Sequence, residues 1–209
     1  QGVTDPKERA AMAAVIYGES GFKLQSETSY AKTSNERIRS IFGARVKHLS
    51  DDQLTQVKGD PVKFFDTVYG GRFGNAPNEG YKYRGRGFIQ LTFKGNYAKY
   101  AKITGIDLVN NPDLANDPAT AAEIAVKYMK ATRAGGDTYT SIARGVGNPV
   151  ASTEAKKVAA YNQFLQSGEF GADKGGAGGT AVAGTPGAPT AAPTTAVGAA
   201  TAANQAAGA

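Results

Sequence analysis

The chain has 209 residues, 24 Lys and Arg against 18 Asp and Glu, a formal net charge of +6, no cysteine and one histidine. Those counts exclude a disulfide frame and thiolate chemistry, put a multi-histidine zinc site out of reach, and leave a serine triad only His48 to use. No run approaches the ~20 apolar residues of a membrane span and no phosphate- or dinucleotide-binding motif is present, so no span, metal or cofactor is expected.

In chain order, Asp5-Pro6-Lys7-Glu8 predicts a helix start, with Asp5 as N-cap, Pro6 at the first helical position and Glu8 closing a capping box. The helix runs through AAMAAVIYGE and should stop near Gly18 or Gly21, with Ala11, Met12, Val15 and Ile16 as its apolar stripe. At about 100° per residue, Glu19 falls between the directions of Met12 and Val15, on the shielded side of the C-terminal end. There the helix dipole offers a carboxylate nothing and water is lost on one side, so the neutral acid is favoured. Read alone, the same residue is also a helix-end Glu that turns to water.

Thr33-Ser34-Asn35-Glu36 predicts a second start, for a helix through RIRSIFGARV with Ile38, Ile41 and Phe42 on one side. Glu27, in SETSY, then lies in the loop between two helices. A carboxylate there stays solvated and ionised, which suits a base better than an acid. Taken alone it is a plain loop charge.

A helix is predicted over Asp60 to Tyr69, with Pro61 at its start and Gly70-Gly71 ending it. GGRFGNAPNEGYKYRGRG follows as a long, polar, glycine-rich loop, of a length that is usually functional or disordered. Its Tyr81, Tyr83, Arg84 and Arg86 suit stacking on sugar faces and binding of carboxylates. FIQLTF alternates enough to read as a strand or extended edge, which turns Gln90 and Thr92 to one side. Simple strand polarity would give the same pattern. Further helices are predicted from Asn96-Tyr97 to about Thr104, over DPATAAEIAVKYM behind Asp117, and from about Ser152 to Gln166. The expected domain is mainly α with a small extended or β segment.

Every charged residue lies at or before Lys174; beyond it stand only Gly, Ala, Pro, Thr and Val, with Asn204 and Gln205. Such a segment buries too little surface to offset its ordering entropy. The division expected is a domain over 1–172 and a disordered linker or tail over 173–209, ordered only against a partner if at all. Gln1 in place of Met, and a tail that leads to no new domain, suggest a fragment or processed product. The positive charge therefore sits on the domain and suits an anionic polymer, although ordinary solubility explains it as well. Nucleic acid is not expected as partner, because it leaves the carboxylates unexplained and mildly repulsive.

The ordered set ESGF, the later Glu27, SNERIRSIF, VYGGRFGN, YRGRGFIQLT, GNY and NPDLANDPATAAEIA resembles glycoside hydrolase family 19. It is most similar to the peptidoglycan-cleaving phage endolysin and tail-lysozyme branch. The resemblance implies a lysozyme-like α+β superfamily architecture, Glu19 as general acid, Glu27 as general base, and Thr92 helping to hold the attacking water. It places Gln90 and Asn96 in the cleft as substrate-binding amides, and Tyr83, Arg84, Arg86 and Tyr97 are counted with them. It also implies an inverting reaction, with carboxyls about 6.5–9.5 Å apart. This sequence departs from the family's usual pattern at Gly18, where a His normally precedes the first Glu, and at GVGNP, which leaves Arg144 and Asn148 as secondary candidates.

The function expected is hydrolysis of β-1,4 bonds in peptidoglycan glycan strands, with chitin as the enzymatic alternative and a silent wall-binding or tail module as the non-enzymatic one. The expected setting is a phage virion tail, with other tail proteins held through the C-terminal segment, or release into the host to act on its wall.

Overall fold

Helix α1, Pro6–Ser20, begins where the sequence asks for it: the Asp5 carboxylate accepts from Lys7 N at 3.0 Å and Pro6 stands at the first position. The computed structural model describes residues 2–132, 142 and 151–168, the side chains of 151–156 excepted. Gly21, in the left-handed region at φ 59°, closes α1 by donating its N–H to Tyr17 O, one residue beyond the last helical turn. Ala10, Ala11 and Ala14 are fully buried within α1. Their small side chains let neighbouring helices approach its axis closely.

The elements that follow are α2 (Asn35–Val46), α3 (Asp51–Gly59), α4 (Pro61–Tyr69), α5 (Lys94–Thr104), a 3-10 turn η1 (Pro112–Asn116), α6 (Pro118–Ala131) and α7 (Ala151–Ser167). Ser34, Asp60 and Asp117 cap α2, α4 and α6 with their side-chain oxygens. Helix α3 was not expected, yet it carries a complete capping box between Ser50 and Gln53.

Two apolar clusters organise the chain. One joins α1, α5, α6 and α7 through residues such as Met12, Val15, Leu91, Tyr97, Ile124 and Met129. The other joins α2, α3 and α4 around Ile38, Leu54, Phe64, Phe65 and Tyr69, with Phe93 inserted from the start of α5. The segment from 83 to 93 contributes Tyr83 and Leu91 to the first cluster and Phe93 to the second, so it runs along the seam between them.

That segment corrects one expectation. FIQLTF is not a strand: Arg86 and Leu91 form a single antiparallel bridge across a four-residue turn, and Gln90 sits at φ 51°. A left-handed residue breaks the pleat, so alternation cannot explain which way Gln90 and Thr92 face. The mainly helical class stands. The division at 172/173 lies outside the described residues.

Candidate active site

Beyond α1 the chain crosses the seam and is tied to the 84–90 loop. Glu27 N donates to Gly85 O at 2.7 Å, Arg84 Nε donates to Glu27 O at 3.1 Å, and Gln90 Nε2 donates to Gln25 O at 3.0 Å. Asn116 Nδ2, at the end of η1, reaches Ser26 Oγ at 2.9 Å. Glu27 is therefore fixed by backbone pairing.

Its surroundings reverse the expectation of a wet loop carboxylate. Glu27 is 5% exposed. Tyr30 Oη donates to Oε1 at 2.8 Å, Tyr69 Oη to Oε1 at 2.9 Å and Oε2 at 3.1 Å, and Gly85 N to Oε2 at 3.3 Å. Burial pushes the Glu27 carboxyl above its ordinary value and outweighs the two phenol bonds, the Gly85 bond and the nearby Arg84 charge, all of which pull it down. Burial and the Glu27 charge together push the Tyr30 phenol up, so Tyr30 stays a donor.

Gly85 marks where the site converges. A Cβ on it would stand 2.8 Å from Gln90 Oε1, 3.4 Å from Glu27 Oε2 and 3.4 Å from Thr92 Oγ1. Oxygens of residues 27, 90 and 92 thus crowd against one glycine, where a side chain would collide with the Gln90 amide. The Thr92 hydroxyl donates to Gln90 O at 2.8 Å, and Asn96, in the first turn of α5, donates from Nδ2 to Thr92 O at 2.9 Å. Gln90 is held left-handed with its amide also on Gly87 O at 3.0 Å, a strained backbone of the kind that clusters at functional sites. We expect Gly85→Ala to leave the helical content intact and to reduce activity by at least about tenfold, since a methyl there must displace the Gln90 amide. Unchanged kcat and KM in that variant would show that the convergence has no part in the reaction.

The other expected substrate contacts are placed differently. Tyr83 is fully buried, with its hydroxyl on Val109 O at 3.0 Å. Tyr97 is fully buried too; burial lifts its phenol to about 12, and it donates to Arg84 O at 2.9 Å. Arg86, 3% exposed, pairs with Asp113 at 2.7 Å and donates to Lys82 O, Arg84 O and the Tyr97 hydroxyl. None of the three offers a face to a sugar; they pin the loop to the first cluster. Arg84 stacks 4.1 Å over the Tyr81 ring and holds the carbonyls of Glu27 and Tyr81, so it shapes the same loop from its outer side. Arg144 and Asn148 lie outside the described residues.

Glu19, in the last turn of α1, is largely shielded and has a partner the sequence did not reveal. Lys157 Nζ on α7 stands 2.6 Å from Glu19 Oε1, and the two side chains are 4% and 11% exposed. The unpaired carboxyl expected at this position thus has a close, buried lysine partner in the structure. Among the described residues there is no group of three His, Cys, Asp or Glu placed to hold a metal ion, and no helix long and apolar enough to cross a membrane.

Sequence reasoning missed Tyr30, Tyr69, Gly85 and Lys157. Tyr30, three residues from Glu27, was within local reach; Tyr69 and Lys157 are 42 and 138 residues from the carboxyls they touch.

A buried carboxyl with a hydroxyl and an amide beside it supplies the parts of general acid–base chemistry. The chain belongs to glycoside hydrolase family 19: the family model described as chitinase class I matches residues 66–180, more than half of the chain. That match takes in Gln90, Thr92 and Asn96 and begins after both Glu19 and Glu27. A glycosyl hydrolase family 19 domain-containing protein of Haemophilus influenzae is 38% identical over 84 residues, 38% of this chain and 42% of that protein. A basic endochitinase of Vitis vinifera is 52% identical over 48 residues, 23% of this chain and 14% of that one. The chain thus spans less than half the length of these curated relatives. Chitinase C of Streptomyces griseus superposes with a TM-score of 0.45 at 20% identity, covering 82% of this chain and 62% of that one.

Proposed function

We propose that the chain hydrolyses β-1,4 bonds of peptidoglycan glycan strands by a single displacement. The convergence of Glu27, Thr92 and Gln90 about Gly85 carries the reading. A water admitted beside the Glu27 carboxylate would have a base at hand and the Thr92 hydroxyl near it, with the Gln90 amide oxygen alongside. Burial makes Glu27 a stronger base than an ordinary carboxylate, and the best catalytic groups titrate near working pH. Glu19 gives its proton to the bridging oxygen as the bond to the anomeric carbon breaks. The net charge of +6 favours an anionic wall polymer whose stems and attached chains carry carboxylates and phosphates.

Chitin is the second reading, favoured by relatives named as endochitinases. Reducing-end release from purified peptidoglycan and from colloidal chitin, compared at equal protein, separates the two. Proton NMR of the first product is expected to show the α anomer, because one displacement on a β bond inverts it. An initial β anomer would exclude the single displacement. Binding to wall without any release of reducing ends would leave a binding module and overturn the hydrolase reading.

A further inference from the structure

We infer that Lys157 is a positioning residue for Glu19, an ammonium seated by the absence of a side chain at Gly18 to fix the acid's carboxyl and stabilise it as its proton departs. This rests on the hydrolase reading above. Lys157 is 3% exposed as a residue, so its charge has left water almost completely, and a lysine does that only with a partner. Glu19 Oε1 is that partner, at 2.6 Å.

The seat is built from α1. A Cβ at Gly18 would collide with Lys157 Cγ and stand 2.9 Å from its Cε and 3.1 Å from its Cδ. The lysine stem therefore lies against the bare backbone of the residue immediately before the acid. A side chain at position 18 would force that stem to move.

The geometry has a chemical consequence. One carboxyl oxygen of Glu19 is held by Lys157, near the end of α1. When the proton leaves, negative charge grows on a carboxylate already facing a fixed, desolvated ammonium. That interaction is stronger in the transition state than before it, which is what raises kcat. Among the described residues Tyr128, on α6, also feels Glu19: its phenol is pushed up by burial and by the Glu19 charge, so it stays a neutral group. Lys157 supplies the positive charge.

The test uses the wild-type chain, Lys157→Met, Lys157→Arg, Glu19→Gln and the Glu19→Gln/Lys157→Met double variant, each assayed for reducing-end release and for melting temperature. Methionine keeps an unbranched stem in the seat and removes only the charge. We expect Lys157→Met to lose about 10–100-fold in kcat with KM within about twofold, and Lys157→Arg to regain part of that loss. The melting temperatures should be non-additive, the double variant losing less than the two singles together. Wild-type kcat in Lys157→Met overturns the inference. So does a loss that disappears on cooling below the variant's melting range, since Lys157 is then only a tie between α1 and α7. If the wild type cleaves no polymer, the hydrolase reading falls by itself. The melting series then still decides the pair: additive shifts mean that it does not exist in solution, and coupled shifts without activity reduce it to a structural tie.

Discussion

Glu19→Gln is expected to lower turnover by about 10²–10⁴-fold, the range for removing a positioned general acid. The variant should also melt lower than the wild type, because Lys157 stays buried beside it without a counter-charge. Breaking a buried pair by removing one partner costs about 3–5 kcal/mol. Gln keeps a carbonyl for Lys157 Nζ, so the loss falls toward the lower end. For a domain of this size each kcal/mol moves the midpoint by about 2–4 °C. The two effects part in the double variant: Glu19→Gln/Lys157→Met regains thermal stability and regains no activity. Reducing-end release and a thermal melt on the same preparations check both halves. Near-normal turnover in Glu19→Gln removes Glu19 as the acid, whatever its melting temperature.

What the sequence disclosed follows the range over which each feature is determined. Helix starts at Asp5, Asp60 and Asp117 are written in a few consecutive residues and the structure has all three, while the Thr33–Glu36 box finds its helix capped one residue later, by Ser34. Helix α3 carries the same kind of local signature in Ser50 and Gln53. The site is a different matter. Tyr83, Arg86 and Tyr97 look like sugar ligands because aromatic and cationic residues in a glycine-rich loop have one composition whether they face solvent or core. Val109 O and Asp113, 26 and 27 residues beyond Tyr83 and Arg86, decide for the core. Gln90 and Thr92 do face one place, as alternation suggests, but through a left-handed Gln90 that no propensity announces. The dryness of Glu27 comes from Tyr69, on another helix, and local reading of a loop carboxylate had no access to it.

Glu27→Gln should lose activity by about 10²–10⁴-fold as the base is removed, while becoming more stable than the wild type as pH rises. The sign follows from the direction of the shift. Burial raises the Glu27 carboxyl above its unfolded value, so the folded protein binds that proton more tightly than the unfolded chain does. The stability this provides is complete below the unfolded value of about 4.3 and is lost as pH climbs through the folded one. Glutamine does not titrate. Its amide can accept from one phenol and donate to the other, since a hydroxyl does both. The gap in melting temperature, variant minus wild type, therefore widens from acid toward pH 8, as the underlying stability difference grows by at most about 1.4 kcal/mol per pH unit for one proton. The same group sets the acid limb of the wild-type rate profile: a base must be bare to work, so activity should fall at a pH above the usual carboxylate range. Melts of both proteins at pH 4, 6 and 8 read the gap directly. A gap that is flat or narrows with pH would mean that Tyr30, Tyr69 and Gly85 stabilise the carboxylate by more than burial costs it, and Glu27 would then be an ordinary weak base.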